Sequence, residues 1–364
     1  MALSKILPAS QEQYAGARNL IINGAMQVAQ RGTSATGIGN SDGGYHTLDR
    51  WAFRETNTPS FEFTWSQSTD APDGFGYSMK VDVTTAEVTP VGYGYIQQRF
   101  EGQNLQQLKK GTSNAENVTL SFWVKSSKTG TYIVEIRDSD NSRHISKSYS
   151  VSSSNTWEHK TITFDGDTSG VLDNDNAESL RLNFWLVADT TYTSGTLATS
   201  WASITNANRA VGQTNLMDDT ANDWYITGVQ LEVGEEATPF EHRSFGDELA
   251  RCQRYYYRHA DGGDLSTASV GTGTMYSASA LMCTVSFPVR MRATPTLDHL
   301  NATNAYRFWR NSGSDYFNNF DYLFDAHPFG AAIQADSNVS GTAGHGGRII
   351  LGGSSAYIAF DAEL

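Results

Sequence analysis

Apolar and polar residues alternate along much of the chain with a period of two. Phe61, Phe63 and Trp65 alternate with Glu62 and Thr64, and Tyr77, Met79, Val81 and Val83 with Ser78, Lys80 and Asp82. Val118, Leu120, Phe122 and Val124 alternate with Thr119, Ser121, Trp123 and Lys125. Leu180, Leu182, Phe184 and Leu186 face away from Arg181 and Asn183. This period turns one set of side chains to the core and the other to water, as in antiparallel sheets. Further strands are predicted at Thr131–Arg137, Trp157–Phe164 and Trp224–Val233, with turn-forming linkers at Lys125–Gly130 and Ser150–Asn155. The prediction is a jelly-roll-like β-sandwich over residues 19–243.

The pattern changes at Ser244. Ser244-Phe245-Gly246-Asp247 has the form of a capping box, with Asp in place of Glu. Leu249, Cys252 and Tyr256 then fall on one helical face, which predicts a bridging helix over 244–258 that Tyr255-Tyr256-Tyr257 continues. Alternation returns at Leu281, Cys283, Val285, Phe287 and Val289 and at Tyr357–Asp361, while Gly341–Gly347 reads as a loop. Residues 259–364 are therefore read as a smaller C-terminal β domain, and the fold class as all-β. Residues 1–18 are too short and polar to fold alone. They are either a frayed end or an arm that docks on a partner through Ile6, Leu7 and Tyr14.

Composition supports this reading. The 364 residues carry 18% charged side chains, 12% aromatics and 33 glycines, a mixture rich in strand and turn formers. A net charge of −13 argues against general binding of phosphate backbones. No apolar run reaches the ~18 residues of a membrane span, and the start lacks the apolar stretch of a secretory signal. Cys252 and Cys283 cannot make a disulfide framework or a zinc site, and whether they pair stays open. Synthesis in a reducing cytoplasm is expected.

Chemistry-bearing motifs are sparse. The eight histidines show no zincin spacing, and there is no nucleophile elbow, Walker loop or dinucleotide fingerprint. The pairs Asp138/Asp140, Asp165/Asp167 and Asp173/Asp175 could each share a strand face as glycosidase carboxylates do, but their setting is that of solvated turns. In Asp165-Gly-Asp167-Thr-Ser169-Gly170 the first, third, fifth and sixth positions suit a calcium loop. Position twelve is Asn176 and helices are lacking, so Asp165, Asp167 and Ser169 are weak calcium candidates beside a plain acidic turn. No cofactor is expected. The strongest signal is the aromatic and polar segment Asn304–Tyr322, since sugars stack their CH faces on rings and need polar partners for their hydroxyls. Its candidates for glycan contact are Tyr306, Trp309, Arg310, Asp315, Tyr316, Asp321 and Tyr322. The structural alternative is an aromatic-rich hairpin and core.

Asn19-Leu-Ile-Ile-Asn-Gly-Ala-Met-Gln-Val-Ala-Gln-Arg-Gly32, with Asp49-Arg-Trp51, resembles the opening of many phage tail-fibre and related virion proteins. Trp224–Gly234 followed by Ala237–Ser244 resembles the closing stretch of the carbohydrate-binding-module-like sandwich found in them. Glu248–Tyr256 with Met291–Thr296 resembles the small β domain that often follows. The resemblance implies a non-enzymatic virion protein made in the bacterial cytoplasm: a short tail fibre or receptor-binding protein, typically a homotrimer. It would be held by its N-terminal arm to another virion protein, with a host surface glycan as ligand. A capsid decoration or head-fibre protein is the alternative, and a surface-polysaccharide depolymerase a second. Pairing of the first and last strands of one sandwich would account for the motifs without any binding role.

Overall fold

The computed structural model describes residues 18–57, 59–310 and 313–364. It forms two compact units, divided between Phe245 and Gly246. The arm candidates Ile6, Leu7 and Tyr14 lie outside the described residues.

The first unit contains β1 (Ser34–Gly39), β2 (Ala52–Thr56), β3 (Glu62–Ser68), β4 (Ser78–Thr85), β5 (Tyr93–Glu101) and β6 (Val118–Ser126). It continues with β7 (Gly130–Asp138), β8 (Arg143–Val151), β9 (Glu158–Phe164), β10 (Glu178–Ala188), the helical turn α1 (Thr190–Thr193), β11 (Ala202–Ser203) and β12 (Asp223–Val233). These make two six-stranded sheets, β1-β3-β4-β12-β6-β9 and β11-β8-β7-β10-β5-β2. The unit is thus a β-sandwich, and the alternating runs form its strands.

The inward phase of each run packs between the sheets. Phe63, Trp65, Val81, Leu120, Phe122 and Trp224 from the first sheet meet Ile96, Val134, Leu182 and Phe184 from the second in one buried cluster. The rings of Phe122 and Phe184 cross at 5.2 Å and 77°. Each fully buried side chain of this size contributes about 1.5–3 kcal/mol of transfer free energy. A one-residue slip of register would expose the whole set.

The opening motif closes this sandwich. Leu20 N donates to Leu231 O at 2.9 Å, and Val229 N to Gly24 O at 3.0 Å. The first segment therefore lies along the last strand. Asn19 Oδ1 accepts from Ile21 N and Leu231 N, and its amide donates to Val229 O. Gly24 is required by close approach, since a Cβ there would lie 2.1 Å from Val229 O. Asn23 and Asp49 bind their own neighbourhood. Asn23 Nδ2 donates to Val28 O and Asp49 O, and Asp49 Oδ1 accepts from Gln30 N.

Helix α2 (Phe245–Gln253) opens the second unit's stretch of chain. It stops five residues short of the predicted end, because Tyr256 and Tyr257 enter a strand, which aromatic residues favour over helix. That strand is β13 (Tyr256–Asp261). It is followed by β14 (Ser269–Met275), β15 (Leu281–Ser286), β16 (Thr296–His299), β17 (Tyr306–Arg310) and β18 (Gly313–Phe317). The last four are β19 (Tyr322–His327), β20 (Gly330–Ala335), β21 (Gly346–Leu351) and β22 (Tyr357–Asp361). They form a three-stranded sheet, β13-β22-β16, and a seven-stranded one, β18-β17-β21-β14-β15-β20-β19. The predicted strand from Leu281 ends before Pro288, which has no N–H to give the ladder. Cys252 and Cys283 are both buried, and no disulfide joins them. Among the described residues no helix is long and apolar enough to cross a membrane.

Candidate functional site

The outer face of sheet β1-β3-β4-β12-β6-β9 carries aromatic residues where alternation asks only for polar ones. Trp123 on β6 points outward between His159 on β9 and Thr227 on β12, its register partners. The rings of Trp123 and His159 lie 5.1 Å apart. Partial burial lowers the His159 pKa, so the ring beside Trp123 is uncharged at neutral pH. Two residues along β6, on the same face, Lys125 Nζ stands 4.2 Å from the centroid of Tyr225 and 5.4 Å from that of Trp157. Trp157 Nε1 donates to Asp70 Oδ1 at 3.1 Å, which fixes the outer edge of this row.

A bulge in β12 shapes the groove beside Trp123. Thr227 pairs with Trp123 but Gln230 with Ser121, so one residue more is used on β12 than on β6. Gly228 sits in the bulge with φ of 61°. Phe75 rests against it, and packs on Phe240 at 5.0 Å and His242 at 5.3 Å. The loop bearing Phe240 and His242 is held from below by the strand. Glu232 accepts from Thr238 N at 2.8 Å and from Thr238 Oγ1 at 2.6 Å, and Gln230 Oε1 accepts from Glu241 N at 2.8 Å. Glu241 in turn accepts from Asn19 N, and Arg243 Nη1 donates to Ile21 O. The closing motif is therefore structural in its strand and builds one wall of a groove with its loop.

The groove has a volume of about 620 Å3, with Trp123, His159, Phe75, Phe240 and His242 as its rings and Asp73, Ser121 and Thr238 as polar contacts. Mostly apolar lining with a few fixed polar groups is the usual make-up of a small-ligand site. Such a surface can stack a sugar ring and meet its hydroxyls. Asp73 is the one carboxylate in the lining, whereas a glycosidase uses two about 5–9.5 Å apart. None of these groove residues is a glycan-contact candidate in the sequence reading, although Thr238, Phe240 and His242 belong to its closing motif. An aromatic residue in the outward phase of a strand is the signal that points to them.

The aromatic segment of the second unit is divided by its fold. Tyr306 is fully buried, with its hydroxyl donating to Leu300 O and Tyr357 O, so it serves the core and not the surface. Trp309 and Tyr316 are each about half exposed, and the Arg307 guanidinium lies 5.1 Å and 5.2 Å from their ring centroids. Arg310 and Asp315 clasp Ser340: the arginine donates to its carbonyl and the carboxylate accepts from its N and Oγ. Asp321 is occupied by Ser337, Asn319 and the Asp336 N–H. Tyr322, also about half exposed, packs on Phe324 at the opposite edge of the seven-stranded sheet. The structure thus groups Trp309 and Tyr316 and sets Tyr322 apart.

The candidate calcium loop is turned to other use. Asp167 is buried, and its carboxylate takes Arg143 Nε at 2.7 Å and Lys110 Nζ at 3.0 Å. Burial alone would raise its pKa, but Arg143 and Lys110 hold it below the ordinary carboxylate value. Asp165 is exposed and faces Lys147 at 3.9 Å, and Ser169 N caps Asp167. Two cations thus stand where a metal ion would need the oxygens. Among the described residues no three His, Cys, Asp or Glu side chains gather as a metal site.

No family model and no curated protein matches the chain. Among solved structures it is similar to the enzymatically active domain of bacteriophage CBA120 tailspike protein 4. Identity there is 15% over 59% of this chain and 21% of that one, with a TM-score of 0.30. It is also similar to a CBM4 structure, at 10% identity over 58% of this chain and 97% of that one (TM-score 0.28). A third is the family 11 carbohydrate-binding module of Clostridium thermocellum in complex with a β-1,3-1,4-mixed-linked tetrasaccharide. The values for it are 15% identity, 56% and 98% coverage and a TM-score of 0.28. Likenesses at this level carry no functional argument, and the sandwich is read from its own two sheets.

Proposed function

We propose that the chain is a non-enzymatic glycan-binding protein of a bacterial virus particle, and that the Trp123 groove holds the sugar. The observation that carries the binding role is the groove itself: rings on its floor and wall, polar groups between them, and a single carboxylate. The virion setting rests on the resemblance of the opening and closing motifs. In that setting residues 1–18 dock on the particle and the Trp309–Tyr316 patch is a secondary contact. Three copies strengthen a weak single site by raising effective concentration.

Purified protein on a panel of neutral oligosaccharides tests the site. Binding that Trp123→Ala abolishes, with the fold intact, supports it; binding that survives the substitution removes the groove from the proposal. Gold-labelled antibody against residues 259–364 on intact particles tests the setting. Gold on the tail supports a receptor-binding protein, gold over the capsid makes it a decoration protein, and absence from both intact and denatured virions ends the virion reading.

A further inference from the structure

The outer face of the second sheet of the sandwich carries a row of arginines. Register pairs Arg181 on β10 with Arg99 on β5 and with Arg137 on β7, so three guanidinium side chains stand on adjacent strands. Arg54 on edge strand β2 reaches the same row. With the Gln97 amide turned so that its oxygen faces the guanidinium groups, that oxygen accepts from Arg54 Nε at 3.3 Å and from Arg99 Nε at 2.8 Å. Like charges directly opposite one another across strands are destabilising. A chain of net charge −13 that nevertheless collects them on one face needs a reason.

The neighbouring acids serve only part of the row. Glu178 takes Arg181 Nε at 2.6 Å and Arg99 Nε at 3.1 Å. Glu135 is buried under Arg209, which donates to it twice, at 2.8 Å and 2.9 Å. Glu101 accepts from Gln103. Arg54 has Gln97 and the face of the Tyr45 ring, 5.8 Å from its guanidinium, but no carboxylate. The Arg137 side chain makes no hydrogen bond or ion pair with any described residue, and its Nε is buried without a partner. Burial, and then the neighbouring guanidinium groups, lower the pKa of both Arg54 and Arg137.

We infer that this row is an anion-binding site for a carboxylate-bearing saccharide. The arginine fork matches a carboxylate in two parallel hydrogen bonds. Arg137, Arg181 and Arg99 stand in register on three strands about 4.8 Å apart, a spread of roughly 10 Å, and Arg54, whose register partner is Tyr95, extends the group along the sheet edge. That span suits the successive acid groups of an oligomer better than one small ion. A nucleic acid is disfavoured because its dense charge meets the repulsion of the whole chain. The anion site stands on this geometry alone, while the choice of a saccharide as carrier rests on the glycan reading above.

The test titrates the full chain with uronate oligomers from polygalacturonate, alginate and hyaluronate, against neutral oligosaccharides, inorganic phosphate and duplex DNA. The expected result is that at least one uronate oligomer binds, that binding weakens as salt rises, and that Arg137→Gln loosens it about tenfold. Because Arg137 has no partner to lose, this variant keeps its thermal midpoint, and Arg54→Gln serves as a second variant with the same expectation. Displacement by inorganic phosphate at equal concentration, or tighter binding of duplex DNA, overturns the saccharide assignment. Failure of every uronate oligomer, with neutral sugars still held by the groove, overturns the anion site and leaves the groove reading intact.

Discussion

Gly228 lies directly under Phe75: a Cβ on the glycine would stand 2.7 Å from Phe75 Cζ and 3.2 Å from Trp123 Cδ1. With a φ of 61°, the position also disfavours any L side chain by about 1–2 kcal/mol. Gly228→Ala is therefore expected to lower the thermal midpoint and to push Phe75 out of the wall. Thermal unfolding and oligosaccharide titration of the same preparation read both effects. An unchanged midpoint with full affinity would show that Phe75 yields freely.

The two surface tryptophan sites, half-buried Trp123 and exposed Trp309, separate by substitution. Trp123→Ala is expected to remove binding of neutral oligosaccharides, while Trp309→Ala weakens adsorption of particles to cells and leaves oligosaccharide binding by the isolated protein intact. Neither side chain is fully buried, so each variant keeps its fold by circular dichroism. Equal loss in both assays for both variants would merge the sites into one.

Acid stability depends on the buried pair of Glu135 and Arg209. Burial alone would raise the Glu135 pKa, but Arg209, helped by His144 and Asn183, more than reverses this and holds it far below the carboxylate range. A carboxylate depressed by folding stabilises fully above its unfolded value of about 4.3, and the contribution fades as pH falls towards the folded value. Glu135→Gln leaves Arg209 buried without its counter-charge, which costs about 3–5 kcal/mol. Urea unfolding at a series of pH values should show that loss at neutral pH and a flatter acid limb in the variant. An acid limb of unchanged slope would place the titrating group elsewhere.

Thiol chemistry is expected to be silent in the native state. Burial pushes the Cys283 thiol up to about 11, so at pH 8 roughly one molecule in a thousand carries the reactive thiolate. Cys252 is fully buried. A disulfide reagent at pH 8 should label neither thiol until denaturant is added, and two per chain afterwards. Rapid labelling of the native protein would contradict the packing around both.

The strands legible in the sequence are those whose apolar residues alternate or run together, including β6, β10 and β12, which are buried on both faces. Strand β5 escapes notice because Gln97 and Gln98 break its alternation, although it is covered on both sides: Ile96 and Phe100 enter the main core, while Tyr95 lies under Tyr192 and Ala210 in a second cluster. Its burial no longer alternates. In β17 the phase is readable, and it already separates Tyr306 and Phe308, which are buried, from Arg307 and Trp309. The groove was not legible, since Phe75, Trp123 and Phe240 are far apart in sequence and meet only through the bulge at Gly228. The arginine row is hidden for the same reason, each member being an ordinary polar-phase residue until register sets them side by side.

The pairing of Leu20 with Leu231 and of Gly24 with Val229 runs antiparallel, and Arg243 reaches back to Ile21. The chain thus comes into the sandwich and leaves it at neighbouring points. A pull applied between those two points would open the seam one hydrogen bond at a time, as a zip does, and would not load the bonds together in shear. A sandwich joined in this way can be spliced between other segments without setting them far apart. It would also release first at the seam that braces the wall of the groove, so tension on the chain and grip on a sugar would be opposed.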